Sequence, residues 1–540
     1  MTTQQATTVI APRPEGARIA NLIPKIDQGD IKIPTFQRRG SVWTNEQVID
    51  LLDSVLKGYP IGSFLFWLTN TQLKSERNIG GFELPETPEK YPRNYVLDGQ
   101  QRLTALYTVL TRPPESLDPR FQVLYDLREK IFIPFVAETR PHCLRLNILF
   151  STPQFLAKSA EVAQLADSET LTKELNLVWE TFHEYVIPVV TIPEAPIEKV
   201  GVIFERINSR GTRLTIFDLM VAATWARTGT EEFDLRDKVN SLLSQLADKD
   251  YDEIEDVTVL RTIAVVRHAS ARREVILKLR EEGPENLTTL IATTNAALAQ
   301  AVDFLSTQVC VKSSDFLPYE RQLLLLAFLM SRKERLTPED TRVLRSWFWR
   351  TSLSERYRAG GEAFFDEDLS AVLEATINPA KLDRFSYLLD PDLFRQVQFR
   401  KGAAVPHAYA AMLASNNPRN ITNGAAIDVG TALSEFNRKE FHHIFPQAYL
   451  KAKGTPNGKI GCLANICMLS SAENKVIGAQ APSAYFGKYR AQFGEVEFRQ
   501  IMSSNYISEK AIQYALADDL DSFLHARADT LAEVATKLMA

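Results

Sequence analysis

The stretch Lys439-Glu440-Phe441-His442-His443-Ile444-Phe445-Pro446-Gln447 decides how this 540-residue chain is interpreted. It places two adjacent histidines among apolar residues, with a proline three positions later. Successive side chains of a strand point to opposite sides, so at the kinked end of a strand His442 and His443 can take different tasks. Histidine also titrates near neutral pH, which suits a general base. The stretch therefore predicts a strand end that carries out chemistry.

A second segment, Gly461–Leu469, supplies Asn465, and Asn474-Lys475 follows at the start of a predicted helix. Hydrolysis of a phosphodiester requires an activated water, a metal at the phosphate and help for the departing oxygen. Two histidines, then one asparagine, then a second asparagine is an order that resembles the HNH, or ββα-metal, nucleases.

This resemblance implies a role for each residue. His442 would contact a divalent metal, and His443 would act as the general base. Asn465 would orient the ring of that base through its other nitrogen. Asn474 would complete the metal site, and Lys475 would contact the phosphate. The implied cofactor is Mg²⁺ or Mn²⁺, which acts as a Lewis acid and stabilises the leaving group.

Ordinary explanations of these residues compete with the catalytic one. The chain has seven histidines, and a histidine is more often a packed or surface residue than a catalyst. Their adjacency, the following Ile-x-Pro and the two asparagines favour the nuclease interpretation. Cys462 and Cys467 raise the alternative of zinc, but structural zinc sites use a tighter spacing and a matching ligand pair. We expect both cysteines to pack as small apolar residues.

Composition predicts a soluble, cytoplasmic protein of two or three domains. A chain of 540 residues is too long to form a single hydrophobic core. A content of 45% hydrophobic and 24% charged residues is ordinary for a globular protein. Four cysteines suggest no disulfide framework and fit a reducing compartment. Residues 1–15 lack the pattern of a signal peptide, and we find no apolar run long enough to span a bilayer.

The net charge of −5 does not by itself indicate a nucleic-acid-binding protein. Contact with DNA must therefore come from local patches of Lys and Arg. Residues 438–499 carry such an excess of basic over acidic residues. The same excess also suits an ordinary solvated face, so it permits DNA binding without demonstrating it.

The first 230 residues contain predicted strands and helices. Ile31–Arg38 is predicted to be extended, and a helix begins after Thr44, which opens a capping box. Ile61–Leu68 is apolar on both faces, which predicts a central strand. Tyr185–Ile192 predicts another strand, in which Pro188 indicates an edge position.

The motif Asp98-Gly99-Gln100-Gln101-Arg102 joins a predicted strand to a predicted helix. Backbone N–H groups at a helix start attract phosphate, and Gly99 allows a close approach. Arg102 can bind phosphate oxygens through two nitrogens of its guanidinium group, and Asp98 can hold a metal or orient water. Gln37-Arg38 offers a second wall for such a pocket. Asp-Gly is also a common turn, so the residues leave a phosphate site and an ordinary turn equally open.

A polar corner follows the predicted helix Ile197–Ile207. Gly211 suits an ordinary helix C-cap. The alternative is that polar residues of the corner reach the pocket of Asp98. These residues are Glu205, Asn208 and Arg213.

Three motifs together resemble the GmrS-type domain, which is ParB-like and similar to NTP-hydrolysing regulatory modules. They are Ile33-Pro34-x-Phe36-Gln37-Arg38…Val42-Trp43, Leu97-Asp98-Gly99-Gln100-Gln101-Arg102-Leu103-Thr104 and Phe204-Glu205-Arg206-Ile207-Asn208-Ser209-x-Gly211-Thr212-x-Leu214. With the HNH-type segment, which resembles the GmrD-type domain, the chain resembles fused GmrSD-type, modification-dependent (type IV) restriction enzymes and SspE-like defence proteins. Leu463-Ala464-Asn465-Ile466 departs from the more usual Gly-Asn-Leu, and Arg38-Arg39-Gly40-Ser41 differs from shorter versions of the motif.

The resemblance implies a site for GTP or ATP in the N-terminal domain and modified or phage DNA as the substrate. Asp98 would belong to both the catalytic and the nucleotide-binding residues. The implied nucleotide-binding residues are Gln37, Arg38, Asp98, Gly99, Gln100, Gln101, Arg102 and Asn208.

Helical spacing dominates the middle of the chain. The predicted helices cover 233–246, 257–266, 287–305, 319–330 and 339–352. Trp347-Phe348-Trp349 is predicted to lie in the core rather than to stack on bases. Residues 413–430 are rich in Asn, Gly and Pro and predict a loop.

We therefore predict an α+β, multi-domain protein. Residues 1–230 would form a ParB-like nucleotide-binding domain, 231–425 a helical connector and 426–540 an HNH nuclease. The predicted function is a metal-dependent DNA endonuclease, gated by NTP binding or hydrolysis, in defence against foreign DNA. One rival is a nucleotide-switched DNA-binding regulator with a non-cutting HNH module, and another is an NTPase whose C-terminal module docks a partner. Membrane partners are not expected, and homo-oligomerisation is left open.

Overall fold

The computed structural model describes most of the chain. It covers residues 12–34, 43–71, 73, 75, 78–79, 82–84, 87–88, 90–137, 140–193, 200, 203, 215–228, 231–358, 362–434, 441–469 and 471–540. Gln37, Arg38 and Asn208 of the predicted nucleotide site lie outside the described residues, as does most of the predicted helix 197–207. The chain divides into two compact units, Met1–Asp234 and Leu235–Ala540.

The first unit combines strands and helices. Its strands are β1 (Arg13–Arg18), β2 (Ile31–Lys32), β3 (Phe64–Thr69), β4 (Asn78–Ile79), β5 (Phe82–Glu83), β6 (Arg93–Asp98), β7 (Val123–Asp126), β8 (Ile131–Pro134), β9 (Cys143–Arg145), β10 (Val186–Pro193), β11 (Ala226–Thr228) and β12 (Glu231–Phe233). Its helices are α1 (Ile19–Asp27), α2 (Asn45–Leu56), α3 (Gln100–Thr111), α4 (Thr152–Val162), α5 (Ser168–Glu184) and α6 (Ile216–Thr224).

A five-stranded mixed sheet of order β1-β10-β3-β6-β2 forms the centre of this unit. The predicted central strand is confirmed as β3, which pairs parallel to β10 and antiparallel to β6. The edge position predicted from Pro188 is wrong, because β10 lies between β1 and β3. The register explains why proline is accepted there: Pro188 pairs with Gly16 of β1, whereas pairing with β3 begins at Val189.

The predicted capping box at the start of α2 is also confirmed. The side chain of Thr44 accepts a hydrogen bond from the amide of Gln47, whose own side chain accepts one from the amide of Thr44. The face of α2 at helical spacing is buried, including Val48 and Leu52. These side chains join the core cluster beneath the sheet, together with Phe64 of β3.

A second, three-stranded antiparallel sheet of order β8-β7-β9 belongs to the same unit. Asp126 at the end of β7 pairs with Cys143 at the start of β9. On the same strand, the hydroxyl of buried Tyr125 donates a 2.7 Å hydrogen bond to Glu174 of α5. This bond ties α5 to the second sheet and satisfies a buried carboxylate.

The second unit is mainly helical. Its first helices are α7 (Leu235–Ser244), α8 (Asp256–His268), α9 (Arg273–Lys278), α10 (Gly283–Gln308), α11 (Glu320–Arg332), α12 (Pro338–Leu353), α13 (Glu362–Ala375), α14 (Leu393–Gln396) and α15 (Ala404–Ser415). The later elements are α16 (Val429–Ala432), β13 (Phe441–His443), α17 (Gln447–Ala452), α18 (Asn457–Ile460), β14 (Ile466–Met468), α19 (Ser471–Ile477), α20 (Pro482–Phe493), α21 (Glu495–Ser504), α22 (Glu509–Leu516) and α23 (Leu520–Met539).

The helices predicted for the middle of the chain are present, with ends shifted by a few residues. Trp347, Phe348 and Trp349 of α12 are buried, which confirms that they belong to the core. The mixed α+β fold class is confirmed, whereas the three-part division at 230 and 425 stays a prediction. Among the described helices, we find none that is both long and apolar enough to cross a membrane. The cytoplasmic location stays a prediction.

Candidate functional site

The two histidines of the C-terminal motif end the short strand β13. This strand pairs antiparallel with β14, in the register Phe441 to Met468, His442 to Cys467 and His443 to Ile466. Phe441 is buried, while His442 and His443 are half-buried. The imidazoles therefore stand at the boundary between core and solvent, where a ligand can reach them.

Asn465, immediately before β14, holds the backbone that follows His443. Its side chain is fully buried, and its Oδ1 accepts a 2.8 Å hydrogen bond from the amide of Phe445. Its Nδ2 donates to the carbonyl oxygens of Phe445 at 3.2 Å and Ile460 at 2.8 Å. Both hydrogens of the amide are therefore engaged with backbone carbonyls. The structure places this side chain on the turn after β13, whereas the sequence resemblance implied the ring of His443.

Two more side chains from distant helices fix the antiparallel strand pair β13–β14, which we call the hairpin although a long connection joins its strands. The hydroxyl of Tyr485 on α20 donates a 2.5 Å hydrogen bond to the carbonyl oxygen of Ile444, whose amide donates to the carbonyl oxygen of Asn465 at 2.8 Å. Burial raises the pKa of Tyr485 well above its usual value, so its hydroxyl keeps the proton that it donates. Tyr409 of α15 donates in the same way to Ile466 at 2.7 Å.

Arg527 of α23 completes this arrangement from a fully buried position. Its guanidinium donates to the carbonyl oxygen of Ala464 at 2.8 Å and to that of Asn505 at 3.1 Å. Multiple donors in a fixed planar geometry let one side chain hold two backbone segments. We call Tyr409, Asn465, Tyr485 and Arg527 the hairpin clamp, because their polar groups hold the backbone of β13, β14 or the adjoining turns.

The two cysteines beside the hairpin pack in its core. Cys462 and Cys467 are buried, and burial raises the pKa of the Cys467 thiol to about 11. A thiol in this condition stays neutral and behaves as a small apolar group. The Sγ atom of Cys467 lies 3.7 Å from the carbonyl oxygen of His442, so it packs directly against the histidine strand.

Helix α19 follows β14 closely, whereas the short helices α17 and α18 lie between β13 and β14. It carries Asn474, which is half-buried, and Lys475, which is exposed. The preceding residue, Glu473, accepts a 2.8 Å hydrogen bond from Asn423, which anchors the helix to an earlier loop. The predicted site residues of the C-terminal motif thus lie on β13, in the turn just before β14 and on α19.

The N-terminal motif forms a tight turn from β6 into α3. Gly99 adopts a φ of +89°, and a Cβ atom there would lie 2.3 Å from the ring of Phe64. Glycine is therefore required both for the backbone conformation and for the space. The side chains of Gln100 and Gln101 at the start of α3 are half-buried. The predicted strand–glycine–helix arrangement is present.

Arg102 is held within the protein. One of its terminal nitrogens donates a 2.7 Å hydrogen bond to the carbonyl oxygen of Ile61, and the other lies 3.2 Å from the carboxylate of Asp98. A Cβ atom on Gly62 would lie 2.3 Å from Arg102 Nη1, so a glycine is needed beside it as well. These contacts give Arg102 and Asp98 a structural role in the turn, in addition to any role in binding a ligand.

Sequence reasoning missed the distant members of the hairpin clamp. The position of Arg527 carried a signal, since it follows Phe523 and precedes Leu531 at intervals of four on the apolar face of α23. A charged residue on such a stripe indicates a buried polar contact. Tyr485 carried no comparable signal.

Comparison with known proteins gives two findings. Residues 19–225 match the family model described as the GmrSD restriction endonuclease, N-terminal domain. The chain is also 24% identical over 514 residues to an uncharacterized protein of Methanocaldococcus jannaschii, MJ0686, a similarity that covers 86% of each chain. The first match confirms that the N-terminal part resembles a GmrSD-type restriction enzyme. It ends before the second unit begins, so the HNH and SspE-like assignments stay predictions.

Proposed function

We propose that the protein is a metal-dependent DNA endonuclease whose chemistry takes place at His442 and His443. The observation that carries this proposal is the contrast between those two half-buried imidazoles and the buried hairpin clamp that fixes their strand. An active site needs reactive groups that are accessible and held in place by rigid surroundings.

The donor set suits a site for a divalent cation. An imidazole and an amide oxygen are both accepted ligands of divalent ions such as Mn²⁺, so His442 and Asn474 would hold the metal. When bound, Mg²⁺ or Mn²⁺ supplies Lewis acidity at the phosphate and stabilises the leaving oxygen. His443 then takes the proton of the attacking water, and Lys475 contacts the phosphate from the exposed side of α19.

Asn465 supports this chemistry by positioning. Its hydrogen bonds fix the chain directly after His443, because Phe445 is bonded through both its amide and its carbonyl group. The imidazole is thereby attached to a backbone with little freedom, which keeps a general base within reach of its water. We assign Asn465 to this positioning task.

The N-terminal unit would supply regulation. Its match to the GmrSD family supports a role in restriction, and the β6–α3 turn offers helix-start amide groups of the kind that bind phosphate. GTP or ATP bound there would gate DNA cleavage. Of the residues that we expect to contact the nucleotide, the structure describes Asp98, Gly99, Gln100, Gln101 and Arg102. The substrate would be modified or phage DNA, encountered in the cytoplasm.

The test is the conversion of supercoiled plasmid by the full chain with Mg²⁺ or Mn²⁺. Wild type should yield open-circular or linear DNA, and His443→Ala should not. His525→Ala is the matched control, since His525 is an exposed histidine of the same unit and should be dispensable. The assay is repeated with modified phage DNA, with and without GTP or ATP. Equal cleavage by His443→Ala, or intact DNA in every condition, would refute the proposal.

A further inference from the structure

Three potential metal ligands converge at one end of the sheet β8-β7-β9. Asp126 ends β7, and its register partner Cys143 begins β9, directly after His142. One ligand atom from each of the three residues lies within 4.8 Å of the other two. Asp126 and Cys143 are buried, and His142 is half-buried. The group lies in the first unit and shares no residue with the site proposed for cleavage.

The carboxylate of Asp126 is oriented by the backbone. Its Oδ1 accepts hydrogen bonds from the amides of Arg128 at 2.9 Å and Glu129 at 3.1 Å, which close the turn between β7 and β8. Its Oδ2 lies 3.5 Å from Nε2 of His142. Outer hydrogen bonds of this kind fix the direction of a ligating oxygen before a metal binds.

We propose that Asp126, His142 and Cys143 form a zinc site. Sulfur, imidazole nitrogen and carboxylate oxygen are together the donors that zinc uses, whereas a thiolate is foreign to the oxygen-rich sites of Mg²⁺ and Ca²⁺. Zinc bonds of about 2.0–2.3 Å would draw the three atoms somewhat closer together than they are here. The Sγ–zinc bond forms as the thiol proton is released to solvent, so no redox partner is required.

Three protein ligands leave the fourth tetrahedral position for water or another ligand. Because the ligands come from the end of β7 and the start of β9, a bound zinc would link these two strands. A simpler arrangement, an Asp126–His142 ion pair beside a packed cysteine, predicts no affinity for zinc. Metal binding therefore separates the two explanations.

The experiment measures zinc in the purified full chain by elemental analysis. Wild type should hold about one zinc ion per chain, as a single site predicts. Cys143→Ser and His142→Ala should lose it. Cys310→Ser and His183→Ala are the matched controls, since both residues lie outside the cluster, and they should retain the metal.

Cobalt(II) provides a second measurement, whose first arm uses wild type alone. Metal-stripped wild type should bind cobalt with a thiolate charge-transfer absorption, and Cys143→Ser should lack that absorption. A wild-type chain that takes up neither zinc nor cobalt, or a Cys143→Ser variant with the full zinc content, would overturn the proposal. Both readouts are independent of DNA cleavage, so failure here is distinguishable from failure of the proposed function.

Discussion

The two sequence motifs of this protein are stabilised in different ways in the structure. Around His442 and His443, buried side chains from α15, α20 and α23 hold the backbone, and the imidazoles are left half-buried. In the β6–α3 turn, Arg102 itself bonds the carbonyl oxygen of Ile61 and the carboxylate of Asp98. The backbone of the first motif is held by side chains of distant helices, whereas in the second motif a predicted site residue, Arg102, makes the stabilising contacts. Changes to the two imidazoles should therefore reduce activity without reducing stability, whereas changes in the second motif should reduce both together.

The largest effect is expected for His443→Ala. Loss of a general base lowers rates by about 10²–10⁴-fold, while removal of a half-buried imidazole from a clamped strand leaves the fold intact. Plasmid cleavage should fall by that factor, and the midpoint of thermal unfolding should stay that of wild type. A parallel loss of stability would show that His443 supports the hairpin, and the contrast between the motifs would fail.

Asn465→Ala should lower both stability and cleavage. It removes three buried hydrogen bonds and leaves the amide of Phe445 without its side-chain acceptor. We expect a loss of about 2–4 kcal/mol in the free energy of unfolding, measured by urea denaturation. Cleavage should also decline at temperatures where the variant is fully folded, because the backbone after His443 is freed. Unchanged cleavage by folded Asn465→Ala would remove its positioning role.

Gly99→Ala tests the self-supporting turn. Alanine would be strained at a φ of +89° and would collide with Phe64, so we expect a loss of about 1–3 kcal/mol in unfolding free energy. Gly58→Ala is the matched control: its φ is +69°, but nothing lies within 4 Å of the added atom. It should lose about 1 kcal/mol, from the backbone alone. Equal losses would mean that Phe64 yields and the turn is less constrained than its geometry indicates.

Tyr485→Phe should have the smallest effect. It deletes one hydroxyl and its bond to Ile444, at a cost of about 0.5–1.5 kcal/mol in unfolding free energy. Since Asn465 and Arg527 still hold the hairpin, cleavage should fall only a few-fold. Phe486→Leu on the same helix is the comparison for a general loss of packing, because the side chain of Phe486 has no polar group that could contact the hairpin. A cleavage defect as large as that of His443→Ala would give Tyr485 a direct catalytic role.

Local features of the fold were readable from the sequence because their causes are local. The partners of the capping box, Thr44 and Gln47, are three positions apart, and the central strand β3 shows an uninterrupted apolar run. The partners of the hairpin are remote instead. Tyr485 lies 41 residues from Ile444, and Arg527 lies 63 residues from Ala464. Such contacts depend on how the helices pack, and a short sequence pattern does not predict that packing.

The other features that the sequence did not predict also depend on contacts between distant segments. Pro188 indicated an edge strand because proline lacks an amide donor, but the offset between β1 and β3 gives it a place inside the sheet. The cluster of Asp126, His142 and Cys143 depends on the register of β7 with β9, which becomes known only when the strands are paired. Asn465 was recognised as important, and its bonding partners could be assigned only from the structure.

The most direct test of the proposed active site is a metal titration of DNA cleavage by wild type, His442→Ala and His443→Ala. We predict that wild type cuts in Mn²⁺ and that His442→Ala recovers part of its activity as the Mn²⁺ concentration is raised, because this variant lacks one metal ligand. His443→Ala should stay inactive at every Mn²⁺ concentration, because a metal cannot replace the base. Cleavage by His443→Ala at the wild-type rate would contradict the claim that this histidine pair carries the chemistry.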